Sequence, residues 1–293
     1  MNFDADKKTI STLLNCKKEF KIPRFQREYS WEKPQLKEFF EDIISRISVD
    51  ADGNLSTTEY FWGTTLFVGS FTDSSCKSLL VVDGQQRLTT ITIFLSCIRK
   101  AFLKIGNTKL AEITQSYVMS MDDNGDPYKI LVNETPYPYF QNMVQAENAS
   151  ETVAVTEEEK NIKDAVDYFN SCLKKDKLTK YLKERFGTAH TFETSNVYKA
   201  LRDQLLNSVI IVVSTQDKHQ ANMIFEILNA KGKSLDQLDL ISNLFGHQPR
   251  RAFRRSESLL EADQGYPVFE KHRRGFFRIF QPLLDFKISS DDL

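Results

Sequence analysis

The chain has 293 residues, 41% of them hydrophobic and 27% charged, with a formal net charge of -1 at pH 7. That length supports one large domain or two smaller ones, each with its own core, and two is the expectation. The near-neutral balance excludes a global electrostatic pull towards nucleic acid or an anionic membrane, so any DNA contact has to come from a local patch.

The first residues, "MNFDADKKTISTLL", carry acidic side chains where a secretory signal would be basic, and they lack an uninterrupted apolar core. The greasiest stretch, residues 91–98, is too short to span a bilayer, so a cytoplasmic protein with no membrane contact is expected. Cys16, Cys76, Cys97 and Cys172 form no C-x-x-C pair, and the histidines are isolated. Reduced structural thiols are therefore expected in place of a zinc site or a disulfide framework.

Residues 20–31, "FKIPRFQREYSW", read as a loop or short strand feeding a helix, in which Leu36, Phe39, Phe40, Ile43 and Ile47 recur at helical spacing and Pro34 suits the first turn. Around this stretch Lys17, Lys18, Lys21, Arg24 and Arg27 interleave with Phe20, Phe25, Tyr29 and Trp31. Such alternation suits a groove where cations meet phosphates and rings stack on bases, with Lys17, Lys18, Lys21 and Arg24 as DNA-contact candidates. It equally suits core aromatics flanked by solvated lysines. Next, "YFWGTTLFVGSF" (60–71) and "SLLVVD" (78–83) read as strands, and the turn-like residues 73–77 between them would make a hairpin.

The stretch "VVDGQQRLTT" (81–90) runs from that second strand through a tight turn at Gly84 into a helix, since Leu88, Ile91, Leu95 and Ile98 share one face. A helix N-terminus attracts anions, glycine lets a ligand approach the backbone, and Arg87 can fork onto a phosphate. Asp83 could hold a divalent metal or accept a proton from water, and Gln85 or Gln86 could orient an attacking water. The plainer alternative is a turn followed by the solvated first turn of a helix.

From Ala101 the pattern is mainly helical, broken by "SMDDNGDPYK" and by the acidic residues 146–160, which are candidate linkers. A late strand, "VIIVVS", precedes an amphipathic helix through Asn229, a stop at Gly232, and another helix opened by the capping pair Ser234 and Gln237. On the first of these helices Asn222, Glu226 and Asn229 form a polar stripe, either a wet face or one wall of a site. The expected division is an α/β domain over residues 1–105, a mostly helical region with one late strand over 106–245, and an arginine-rich tail over 246–293. The tail, lacking a periodic apolar face, is expected to be loosely packed.

Three stretches together resemble the N-terminal domain of the GmrSD-type, modification-dependent (type IV) restriction endonucleases. They are "IPRFQREYSW" (22–31) with "FWG" (61–63), then "DGQQRLTT" (83–90), then "FEILNAKGKSL" (225–235). The resemblance implies an α/β, ParB/sulfiredoxin-like fold followed by a mostly helical region. It implies binding and hydrolysis of a nucleoside triphosphate of unspecified base with Mg2+, coupled to recognition of modified or foreign DNA in phage defence. It further implies nucleotide contacts from Gln26, Arg27, Gly84, Arg87, Thr89, Glu226, Asn229, Lys231 and Gly232, and catalysis by Asp83, Gln85, Gln86 and Arg87, with Asp83 on the metal. The three motifs would then close one pocket. Longer relatives carry an H-N-H nuclease region; His247 and His272 here sit in the arginine-rich tail without a paired ligand pattern. A separate H-N-H subunit, a homo-oligomer, and no nuclease centre of the chain's own are thus the expectations. The alternatives from other classes are a non-catalytic DNA-binding or regulatory module and an autonomous ParB-like nuclease.

Overall fold

In the computed structural model, residues 3–135, 137–147, 152–188 and 190–230 are described. The chain divides into two units, Met1–Asn222 and Met223–Leu293. In chain order the strands are β1 (Asp4–Thr9), β2 (Glu19–Ile22), β3 (Ile47–Val49), β4 (Leu55–Thr57), β5 (Phe61–Val68), β6 (Ser78–Asp83), β7 (Met119–Met121), β8 (Pro127–Lys129), β9 (Leu131–Asn133) and β10 (Val209–Thr215). The helices are α1 (Ile10–Leu14), α2 (Lys33–Ile44), α3 (Gln85–Lys104), α4 (Thr108–Gln115), α5 (Glu157–Cys172), α6 (Lys175–Phe186), α7 (Thr194–Asn207) and α8 (Lys218–Ala230), with one π-helical turn at Phe140–Gln145.

The β-branched runs of β5 and β10 lie next to each other because both must hide both faces, and their alternation is lost accordingly. They form the middle of a mixed sheet ordered β1, β10, β5, β6, β2, β9. The expected hairpin is there: β5 pairs antiparallel with β6. The chain is therefore α/β, as its sequence pattern and family resemblance led us to expect.

Helix α3 runs through the interior, with Leu88, Ile91, Phe94, Leu95, Ile98 and Phe102 all buried. Three of its buried hydroxyls find carbonyls and do not interrupt it: Thr90 donates to Gln86 O at 2.8 Å, Thr92 to Leu88 O at 2.9 Å and Ser96 to Val144 O at 2.6 Å. Around it Phe39 joins α2 to β5, α3 and α5, with ring centroids 4.8 Å from Trp62, 5.7 Å from Phe94 and 5.7 Å from Phe169.

Beyond residue 105 the single late strand gives way to four among the described residues, and β9 joins the main sheet beside β2. Strands from both sides of residue 105 thus share one sheet. The segment "SMDDNGDPYK" is no linker: β7 and β8 pair antiparallel, and Asp122 Oδ1 accepts from Asn124 N and Asp126 N to set the turn. Within 146–160, Thr156 and Glu159 build a capping box that opens α5. Ile47 leaves the helix for β3, because α2 ends at Ile44. The Ser234 helix and the tail lie outside the described residues. No helix among the described residues is long and apolar enough to cross a membrane.

Candidate functional site

Two bulges frame the β6–α3 turn. On β5 the partners of β10 step from Phe61 to Thr64 while β10 advances from Val209 to Ile211, leaving an extra residue where Gly63 takes a φ of 90°. On β6 the pairing steps from Asp83 to Val81 while β5 moves by one residue, so Val82 is the extra one. Bulges disrupt the ladder and re-aim neighbouring groups. Here the Thr65 side chain stands beside Gly84, the Thr64 carbonyl faces Arg87, and the Val81 and Val82 carbonyls are left to the Gln26 carboxamide, which donates to them at 2.5 and 3.4 Å. Gly84 itself has a φ of 92°, and a Cβ there would lie 2.7 Å from Thr65 Cγ2 and 2.8 Å from Thr65 Oγ1.

The two glutamines after Gly84 reach sideways to the loop that precedes α2. Gln85 Nε2 donates to Arg27 O at 2.7 Å and Gln86 Nε2 to Glu28 O at 2.9 Å, while Gln86 Oε1 accepts from Ser30 N at 2.9 Å. Tyr29 follows with its hydroxyl 2.9 Å from Thr90 Oγ1. From the opposite side α5 grips the same loop: Glu158 Oε1 accepts from Tyr29 N at 3.3 Å and from Asn133 Nδ2 at 2.9 Å, and Asn161 Nδ2 donates to Tyr29 O at 3.2 Å. The first two motifs are thus one hydrogen-bonded body.

Arg87 is half-buried and donates through Nη1 to Thr64 O at 2.9 Å. Desolvation lowers its pKa, the negative charge of Asp83 opposing that shift. No carboxylate forms a salt bridge with it among the described residues. Three oxygens around the same turn are buried without a hydrogen-bond partner, Gln26 Oε1, Gln85 Oε1 and Thr65 Oγ1, as is Thr64 Oγ1 on the adjoining strand. The two carboxamides are oriented unambiguously, since each Nε2 is committed to a carbonyl, so the unpaired atom is the oxygen. Gly84 offers no side chain to cap the first amides of α3. The turn therefore presents an unpaired cation, helix amides, a carboxylate at Asp83 and unsatisfied oxygens within one short stretch.

The family model for the GmrSD restriction endonuclease, N-terminal domain, matches residues 10–246. The chain belongs to this family. Membership implies a part in restriction of modified DNA, and hence interaction with DNA. No curated protein matches the chain.

Within this GmrSD N-terminal domain the expected residues separate. Gln26, Arg27, Asp83, Gly84, Gln85, Gln86 and Arg87 come together in space. Thr89 is buried in α3. Glu226 is exposed on α8 in the second unit, and the side chain of Asn229 as well as Lys231 and Gly232 lie outside the described residues. Of the expected DNA contacts, Lys18 is buried with its ammonium on Asp73 O at 2.8 Å and Cys76 O at 2.6 Å, which makes it a structural strut between the chain's first turn and the β5–β6 connection. Lys17 is exposed and pairs with Asp123 at 2.9 Å, Lys21 with Glu19 at 3.3 Å, and exposed Arg24 donates to Glu134 O at 2.6 Å. Thr64, Thr65, Glu158 and Asn161 escaped sequence reasoning. The signal for the threonines was the glycine at 63, which marks a bulge inside a strand pattern; for Glu158 and Asn161 no local pattern pointed to residues 23–30.

Proposed function

We propose that the chain is the module of a modification-dependent restriction system that binds and hydrolyses a nucleoside triphosphate and couples this to DNA recognition. The observation that carries the reading is Arg87: a desolvated guanidinium stays charged and favours an anion, yet among the described residues it has a carbonyl as its hydrogen-bond acceptor and no salt bridge, the charge of Asp83 only partly offsetting the desolvation. A phosphate at the uncapped N-terminus of α3 would satisfy both the cation and the amides.

The donor set also fits Mg2+, which takes few protein carboxylates and fills the rest of its shell with water and phosphate. Asp83 would hold it, with the unpaired oxygens of Gln85 and Thr65 accepting from its waters. When bound, the ion would neutralise charge on the phosphates. Arg87 would stabilise the transferred group, and Asp83 would hold the attacking water. Gln86 would not orient that water, because both ends of its carboxamide are engaged on the backbone of Glu28 and Ser30, whereas Gln85 keeps an unpaired oxygen.

That same engagement favours a second reading, a nucleotide- and DNA-binding regulatory module without turnover. Hydrolysis assays with each of the four triphosphates and Mg2+, with and without DNA, separate the two. Hydrolysis lost in Arg87→Ala supports the enzyme. Binding by wild type with no hydrolysis under any condition supports the regulator.

A further inference from the structure

Phe25 is the most exposed large apolar side chain among those described, with 83% of its surface open. A lone exposed hydrophobe is ordinary on a protein surface, but the backbone beneath this one is not. Residues 23–26 form a hydrogen-bonded turn, Gln26 N donating to Pro23 O at 3.1 Å. Phe25 occupies the third position of that turn, where small and polar residues are usual.

The tip is rigid. Arg24 Nε holds it to Glu134 O at 2.6 Å, Gln26 holds it to Val81 O, and Gln85 fixes Arg27 O two residues on. A ring mounted on a backbone held in this way leaves only its own two side-chain torsions to be ordered when a ligand docks. The exposed Arg27 side chain has no partner among the described residues. Consecutive Cα atoms are 3.8 Å apart, so the Phe25 and Arg27 Cα atoms lie within about 8 Å of each other. A ribose separates a nucleobase from its phosphates by a span of that order.

We propose that Phe25 is the base-stacking residue of the nucleotide site, its ring covering the nucleobase while Arg27 and the N-terminus of α3 take the phosphates. The proposal rests on the nucleotide-binding reading above. Every base offers a π face, so a single stacking ring binds the four bases with little discrimination.

The test measures binding of the four nucleoside triphosphates and of inorganic tripolyphosphate to the full chain. Wild type is compared with Phe25→Ala, Phe25→Trp and Arg27→Ala. Phe25→Ala is expected to weaken every nucleotide by about five- to a hundred-fold, to leave tripolyphosphate unchanged, and to melt with the wild type because the ring is exposed. Arg27→Ala weakens both ligands. Phe25→Trp keeps nucleotide affinity, and its added indole fluorescence is quenched by nucleotides but not by tripolyphosphate. Unchanged nucleotide affinity in Phe25→Ala, or an equal loss for nucleotide and tripolyphosphate, overturns the stacking role while leaving the phosphate site standing. Binding of neither ligand by wild type overturns both.

Discussion

Gly84 shows how one residue type fixes a site. Its φ of 92° is a conformation that side chains with a Cβ rarely adopt, and Thr65 occupies the space such a Cβ would need. The left-handed backbone alone costs a non-glycine residue about 1–2 kcal/mol, so Gly84→Ala is expected to destabilise by about 2 kcal/mol or more once the clash with Thr65 is added. Adding Thr65→Ala should return the part due to the clash and not the part due to φ. Equal destabilisation of the single and double variants in denaturant melts would show that Thr65 is not the obstacle. At Cys97, burial pushes the thiol up to about 12, so it stays protonated at mildly alkaline pH and is unreactive as a nucleophile. Alkylation of native protein near pH 8 should therefore modify it only after unfolding. Rapid labelling of Cys97 in the native state would mean the interior around α3 is open.

Among the elements, the loop over residues 23–30 is held by side chains rather than by a strand ladder. Removing one clip should loosen it without unfolding the core. Gln86→Ala strips the partners from Ser30 N and Glu28 O, and Glu158→Ala strips one from Tyr29 N. Each is expected to speed amide exchange over residues 27–31 while α3 stays protected, and Glu158→Gln, which keeps the acceptor, should restore the slow rate. Uniform acceleration across the whole chain would indicate global destabilisation instead. The elements that sequence revealed are those with a local cause. Periodic Leu36, Phe39, Phe40 and Ile43 gave α2, and the β-branched runs gave β5, β6 and β10. β1 was hidden because "DADKKT" has no apolar face and exists through pairing with β10, a partner about two hundred residues away in sequence. β9 was hidden because three residues carry no period. In the same way the turn at Gly84 was legible from its own residues, whereas the clamp on residues 27–30 depends on which loop the sheet order brings alongside.

Over the whole molecule, a net charge of -1 and a DNA partner have to be reconciled. Contact through a few exposed cations is the arrangement the charge balance permits. It should be sensitive to salt, since every cation removed from a DNA phosphate lowers the slope of log K against log salt by about one unit. Lys17, Lys21 and Arg24 are the exposed or half-exposed candidates, while buried Lys18 belongs to the fold. Arg87 is shielded differently: a partly buried charge is screened much less than an exposed one. Raising ionic strength from about 50 to about 300 mM, a range over which the Debye length falls from about 14 to about 6 Å, is thus expected to abolish DNA binding and any effect of DNA on hydrolysis. Hydrolysis without DNA should persist. Alanine at Lys17, Lys21 or Arg24 should flatten the salt slope at unchanged melting temperature, whereas Lys18→Ala should lower the melting temperature with the slope intact. If none of the three exposed substitutions changes affinity or slope, DNA binds elsewhere on the chain. If salt removes basal hydrolysis as steeply as DNA binding, the catalytic charge is not the shielded Arg87.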